Sequence, residues 1–144
     1  MKNKFGFILI KPQLGENIGA SARSLKNFGF SKLHIVSPKQ SWPNNKAKAT
    51  SVGAYDIVKK AKIYNNTYDA ISDFNIVISL SARKRDINKK HISINQFLKI
   101  IKSKKNTKFG LMFGPEASGL SNDDLSLSNF VLRIPTSKKF KSLN

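Results

Sequence analysis

One recurrence limits what this chain can fold into. Short, almost unbroken apolar runs at residues 5–10, 32–37, 76–81, 108–113 and 130–134 alternate with segments whose apolar residues recur every three or four positions. A run that is apolar on both sides suits a strand buried between two layers. Strands that alternate with helices pair in parallel, because each helix carries the chain back to the starting edge of the sheet. The expected fold class is therefore α/β, a parallel sheet with helices on both faces.

The intervening segments read as follows. Residues 11–16 are a loop, and a helical period begins at Asn17, with Ile18, Ala22, Leu25 and Phe28 on its apolar face. Its first turns hold only small residues between Ile18 and Arg23 (Gly19, Ala20, Ser21 and Ala22), which permits close backbone approach. Gly29 is placed to end it as a left-handed cap. A polar loop covers residues 38–50, and residues 47–60 hold one helix or two short ones. A short strand is expected at 61–64 and one or two helical turns at 68–74. A basic loop follows at 82–86, and His91 falls in a polar stretch. Ser93 and Gln96 have the spacing of a capping box for a helix through Phe97, Leu98, Ile100 and Ile101. Ser121, followed by Asp123 and Asp124, opens a short helix.

Charge narrows the partners. The 144 residues include 26 basic and 8 acidic ones, for a net charge of +18, and such an excess is relieved by a polyanion. Nucleic acid is the favoured partner over compositional drift toward Lys and Asn. With no cysteine there is no disulfide framework and no thiolate chemistry. No apolar run approaches the roughly 18 residues that span a bilayer, and the N-terminus lacks a signal-peptide pattern, so a cytoplasmic location is expected. His34 and His91 have no neighbouring ligand residues, so no metal site is expected. Ser21, Ser24 and Ser81 have no nearby histidine base, which leaves a hydrolase triad without support.

The loop after the fourth of these runs is the most informative stretch. Phe113-Gly114-Pro115-Glu116-Ala117-Ser118-Gly119-Leu120 leaves a strand through a Pro/Gly turn that carries one carboxylate. Ligands of open α/β sheets bind at the carboxyl ends of strands. Gly114 and Gly119 allow a ligand to lie against the backbone, or else serve an ordinary turn. The loop is neither a Walker A motif nor a dinucleotide fingerprint. Arg23 provides a permanent cation with bidentate reach to phosphate, or a solvated surface charge. The cluster Arg83-Lys84-Arg85 reads equally as a phosphate contact or a solvated loop. Glu16 reads as a solvated loop residue.

Three stretches taken together are far more specific. Asn17-x-Gly19-x-x-x-Arg23, then Phe113-Gly-x-Glu116-x-x-Gly-Leu120, then Ile134-Pro135-Thr136 leading to Ser142-Leu143-Asn144, resembles the SPOUT-class (SpoU/TrmH-type) RNA 2′-O-ribose methyltransferases over essentially the whole chain. The run from Asn17 to Phe30, with Leu80-Ser-Ala-Arg83, is most similar to the TrmJ subgroup, which methylates cytidine or uridine in the tRNA anticodon loop.

The resemblance implies a single SPOUT domain over residues 1–144, with a C-terminal trefoil knot and a C-terminus cut short relative to the family pattern. It implies a homodimer with the active site at the subunit interface. It implies S-adenosyl-L-methionine as cofactor, held by Leu80, Ser81, Ala82, Gly114, Ile134, Ser142, Leu143 and Asn144. Arg23 is implied as the catalytic residue, with Asn17, Glu116, Ser142 and Asn144 supporting the catalytic site. RNA, most of all tRNA, is expected on Arg23, Arg83, Lys84 and Arg85. Arg23 would act as a base only with help, such as from an RNA phosphate, or would orient the hydroxyl and stabilise its charge. The rival readings are the same chemistry on ribosomal RNA, or a knotted RNA-binding protein that transfers no methyl group.

Overall fold

The computed structural model describes residues 2–82 and 84–135. A single-turn 3-10 helix at Lys2–Lys4 leads into β1 (Phe5–Ile10), followed by α1 (Gly15–Asn27), β2 (Leu33–Val36) and α2 (Asn45–Ser51). A 3-10 turn at Val52–Ala54 joins α3 (Tyr55–Lys60), β3 (Lys62–Tyr64), α4 (Thr67–Ile71) and β4 (Ile76–Ser81). The chain continues through β5 (Lys90–Ile92), α5 (Ile94–Ser103), β6 (Phe109–Phe113), α6 (Asn122–Ser126) and β7 (Phe130–Arg133). The strands form one sheet in the order β3-β2-β1-β6-β4-β7-β5, and every neighbouring pair is parallel. The expected parallel α/β sheet is present. The knot expected of the C-terminal segment, together with Ser142, Leu143 and Asn144, lies outside the described residues, as does Arg83.

Alternation along the strands sorts the core into two faces. Ile8, Ile10, Val36, Val77, Met112 and Val131 point to one side, where Ala70 of α4 and Leu125 of α6 pack on them. Leu33 and Ile35 point to the other side, against Ile18, Ala22 and Leu25 of α1 and Ile57 and Val58 of α3. On that same side Ile78, Phe109, Leu111 and Leu132 meet Phe97, Ile100 and Ile101 of α5. Each fully buried aliphatic side chain of this kind contributes about 1.5–3 kcal/mol relative to exposure.

Several elements depart from the sequence expectation. α1 begins at Gly15, two residues early, so Glu16 is a half-buried residue of its first turn rather than a solvated loop residue. A carboxylate is favoured there by the helix dipole. Phe28 caps the helix and is exposed, not part of its apolar face. The region 38–50 is loop only to Asn44, where α2 begins with the Asn44 side chain accepting from the Ala47 N–H. Strand β5, which contains His91, was not expected. It is three residues long and, among the described residues, pairs only with β7. Other expectations hold: Gly29, with φ 81°, follows the Phe28 cap of α1 in the left-handed conformation, and Ser93 and Gln96 form the capping box of α5. No helix among the described residues is long and apolar enough to cross a membrane.

Candidate functional site

All strands being parallel, β1, β4 and β6 release their chains at the same end of the sheet. On the face that carries α1 and α5, the two helices leave a gap over these strands. Phe7, Leu9, Leu80 and Phe113 lie in that gap and are only half-buried. They form the apolar floor of a cleft of about 750 Å³, which is within the usual range for a small-molecule site. One wall is α1, through Asn17, Ala20, Ser21 and Ser24, a spacing that runs along a single helical stripe. A second wall is Ser81 at the end of β4 with Ala82 and Arg85 beyond it, and the third is the loop at residues 114–120 after β6.

The 114–120 loop is shaped from within. Gly119 has φ 71° and donates its N–H to the Pro115 carbonyl at 2.9 Å. A β-carbon on residue 114 would run into the backbone of Gly119 and Leu120. Glycine at 114 thus lets the loop close on itself. Of the two roles open to this glycine, room for a ligand or a turn, the contacts within the loop favour the turn, while the residue itself lines the cleft.

Glu116 ties this loop to the start of α1. Its carboxylate accepts from the Gln13 N–H at 3.0 and 3.1 Å, the Leu14 N–H at 3.1 Å and Asn17 Nδ2 at 2.9 Å. In return the Ala117 N–H donates to Gln13 Oε1 at 2.9 Å. Partial burial pushes the Glu116 carboxyl upward, but the hydrogen bonds from Gln13, Asn17 and Leu14 outweigh it and hold the group below the ordinary glutamate value. Leu14, at the helix N-cap, has no side-chain cap of its own. The N–H of Gly15 is met instead by Gln40 Oε1 at 2.9 Å. A carboxylate whose lone pairs are engaged in this way is an anchor, not a proton carrier.

The other anticipated residues are distributed unevenly. Leu80, Ser81, Ala82, Gly114, Asn17 and Glu116 all line the cleft. Ile134 sits at its edge, its N–H donating to the Ser81 carbonyl at 2.9 Å. Arg85 faces the cleft, and its Nη2 donates to the Leu120 carbonyl at 2.7 Å. Lys84 is exposed. Arg23 is also exposed and stands on the shoulder of α1, outside the cleft lining of its own chain.

Sequence reasoning missed Gln13, because its role rests on a loop N–H and a side chain that no motif marks. Of the floor, Leu80 was anticipated but Phe7, Leu9 and Phe113 were not, because a strand buried on both faces and a cleft floor show the same unbroken apolar run.

Residues 4–144 match the family model described as the SpoU rRNA Methylase family. The chain is 39% identical over 141 residues to the tRNA (cytidine-2′-O-)-methyltransferase TrmJ of Methanocaldococcus jannaschii, covering 95% of this chain and 60% of that protein. It is 32% identical over 145 residues to the tRNA (cytidine/uridine-2′-O-)-methyltransferase TrmJ of Sodalis glossinidius, covering 100% of this chain and 56% of that one. The crystal structure of TrmJ from Z. mobilis ZM4 superposes with a TM-score of 0.90 at 35% identity, over 96% of this chain and 62% of that chain. The chain thus spans less than two thirds of the length of each.

Proposed function

The chain belongs to the SpoU rRNA methylase family, and from that premise we propose that residues 1–144 are the methyltransferase domain of an S-adenosyl-L-methionine-dependent RNA 2′-O-ribose methyltransferase. Its substrate is tRNA, at a cytidine or uridine of the anticodon loop. The observation that carries this reading is the convergence of motif stretches on one cleft. Asn17 and Glu116, 99 residues apart, are hydrogen-bonded in its wall.

The residues present fit the cofactor. Phe7, Leu9, Leu80 and Phe113 offer a flat apolar floor for an adenosine, and the backbone at 81–82 and 114–120 offers polar groups to its edges. When bound, S-adenosyl-L-methionine supplies a methyl group on a sulfonium centre. The chain's own residues position the two reactants, which removes much of the entropic barrier. Glu116 fixes the cleft wall against α1. Arg23 orients the ribose 2′-hydroxyl and stabilises the negative charge on its oxygen as the proton leaves to a base outside the chain, such as an RNA phosphate. Since Arg23 stands outside the cleft of its own chain, it serves this role from a second copy, in a homodimer whose active site lies at the subunit interface. The charge of +18 draws the tRNA in, and Lys84 and Arg85 lie on the side from which it enters. A tRNA substrate and the absence of a spanning helix among the described residues both fit a cytoplasmic location.

The test is Arg23→Ala in the full-length protein. Methyl transfer to tRNA is expected to fall by about 100-fold or more, as when a charge-stabilising donor is removed, with cofactor affinity unchanged. A folded variant that no longer binds cofactor would overturn the assignment of Arg23.

A further inference from the structure

We propose that Gln13 is a positioning residue. Through its clasp with Glu116 and Ala117 it makes filling of the cofactor cleft and docking of RNA on α1 mutually reinforcing. The inference rests on the function proposed above and adds a device that links its two ligands.

The clasp is reciprocal. The loop after β1 gives two N–H groups, of Gln13 and Leu14, to the Glu116 carboxylate, and the loop after β6 gives the Ala117 N–H back to Gln13 Oε1. The first helical turn adds Asn17 Nδ2 to the same carboxylate. Gln13 is not among the residues lining the cleft, so it acts through its neighbours. On one side of the clasp is a loop that forms a cleft wall. On the other is the start of the helix that carries Asn17 and Arg23. Leu14 offers no side-chain cap, so the position of this helix end is set by Glu116 and Gln40 instead of by its own sequence.

A ligand packed on residues 114–120 restricts that loop, and the clasp passes the restriction to the start of α1. RNA held by α1 then meets a helix that is already ordered, which lowers the cost of binding it. Coupling of this kind is reciprocal by thermodynamic necessity, so tRNA must tighten cofactor binding by the same factor.

The experiment measures the affinity of the full-length protein for unmodified tRNA with and without sinefungin, an S-adenosyl-L-methionine analogue that cannot transfer a methyl group. Sinefungin is expected to tighten tRNA binding by about fivefold or more. Gln13→Met keeps the side-chain length but lacks the acceptor for Ala117. In this variant, and in Gln13→Ala as a check, the factor is expected to fall by about half or more, the Glu116 bonds to the Gln13 and Leu14 N–H groups and to Asn17 keeping the rest, with each ligand alone bound to within about twofold of wild type, as suits the loss of one modest hydrogen bond. A merely structural role for Gln13 would weaken both single affinities and leave their ratio intact, and that outcome overturns the proposal. So does a wild-type protein that binds both ligands independently, which leaves the proposed function standing. A wild-type protein that binds tRNA but not sinefungin defeats both.

Discussion

Glu116 shows how a site can hold a charge that does no proton chemistry. Its lowered pKa means that the clasp is complete at neutral pH and is lost as acid protonates the folded carboxyl, below the ordinary glutamate value. His34 is the converse case. It is buried on β2, its Nδ1 lies 3.1 Å from the Tyr64 hydroxyl, and the Phe74 ring stands edge-on to it. Burial foremost, then Lys62 and Lys32 against the opposing Asp73, lowers its pKa from 6.5 to about 4. The unfolded chain therefore takes up this proton before the folded one does. Stability from His34 is full above pH 6.5 and declines as pH falls toward about 4. His34→Gln is expected to flatten the fall in thermal stability across that interval, by roughly 2 kcal/mol of differential stability. An unchanged pH slope in the variant would count against this account. At this scale the sequence pointed to Glu116 and Asn17 and assigned His34 no metal-binding role, but it did not show the contacts that hold them. Those contacts, the Gln13 and Leu14 N–H groups on Glu116 and a tyrosine on a neighbouring strand beside His34, are brought close only by the fold.

Elements were legible where a local signal decided them. The capping box of α5, the glycine cap of α1 and the principal strands all announce themselves through side-chain type and period. The start of α1 does not, because its orphan N–H groups are met by Glu116 and Gln40 from other elements. Strand β5 was missed for a similar reason: three residues are too few to show a period, and pairing with β7 defines them. The loop at 114–120 yields a prediction that separates shape from conformational strain. Gly114→Ala forces the loop open, because its β-carbon meets the Gly119 and Leu120 backbone. Sinefungin affinity should drop by about tenfold or more, as expected when a cleft wall moves by an ångström. Gly119→Ala meets no such contact. Its nearest neighbour is Arg85 Nη1 at 3.9 Å, and only the positive φ is strained. That variant should lose about 1 kcal/mol of stability and keep most of its affinity. Calorimetric titration and thermal melts of both variants decide the matter, and the reverse ranking of affinities would contradict the loop's role.

For the whole molecule, the parallel sheet could be read from the sequence but the order of its strands could not. The site exists because β6 lies between β1 and β4, so that loops distant in sequence open at one end of the sheet. Nothing local to residues 13 or 116 records that adjacency. The family resemblance grouped these stretches into one site without giving a strand order, and the hydrogen bonds of Glu116 give that grouping a physical form. The net charge is equally a property of the whole, since it predicts a salt-sensitive grip on a polyanion without naming which one. The most direct test of the central claim gives the full-length protein methyl-labelled S-adenosyl-L-methionine and unmodified tRNA, and analyses the product nucleosides. Label in 2′-O-methylcytidine or 2′-O-methyluridine is the predicted result. Label confined to ribosomal RNA would contradict the tRNA assignment, and no label in any RNA, despite tight RNA binding, would contradict the claim of methyl transfer itself.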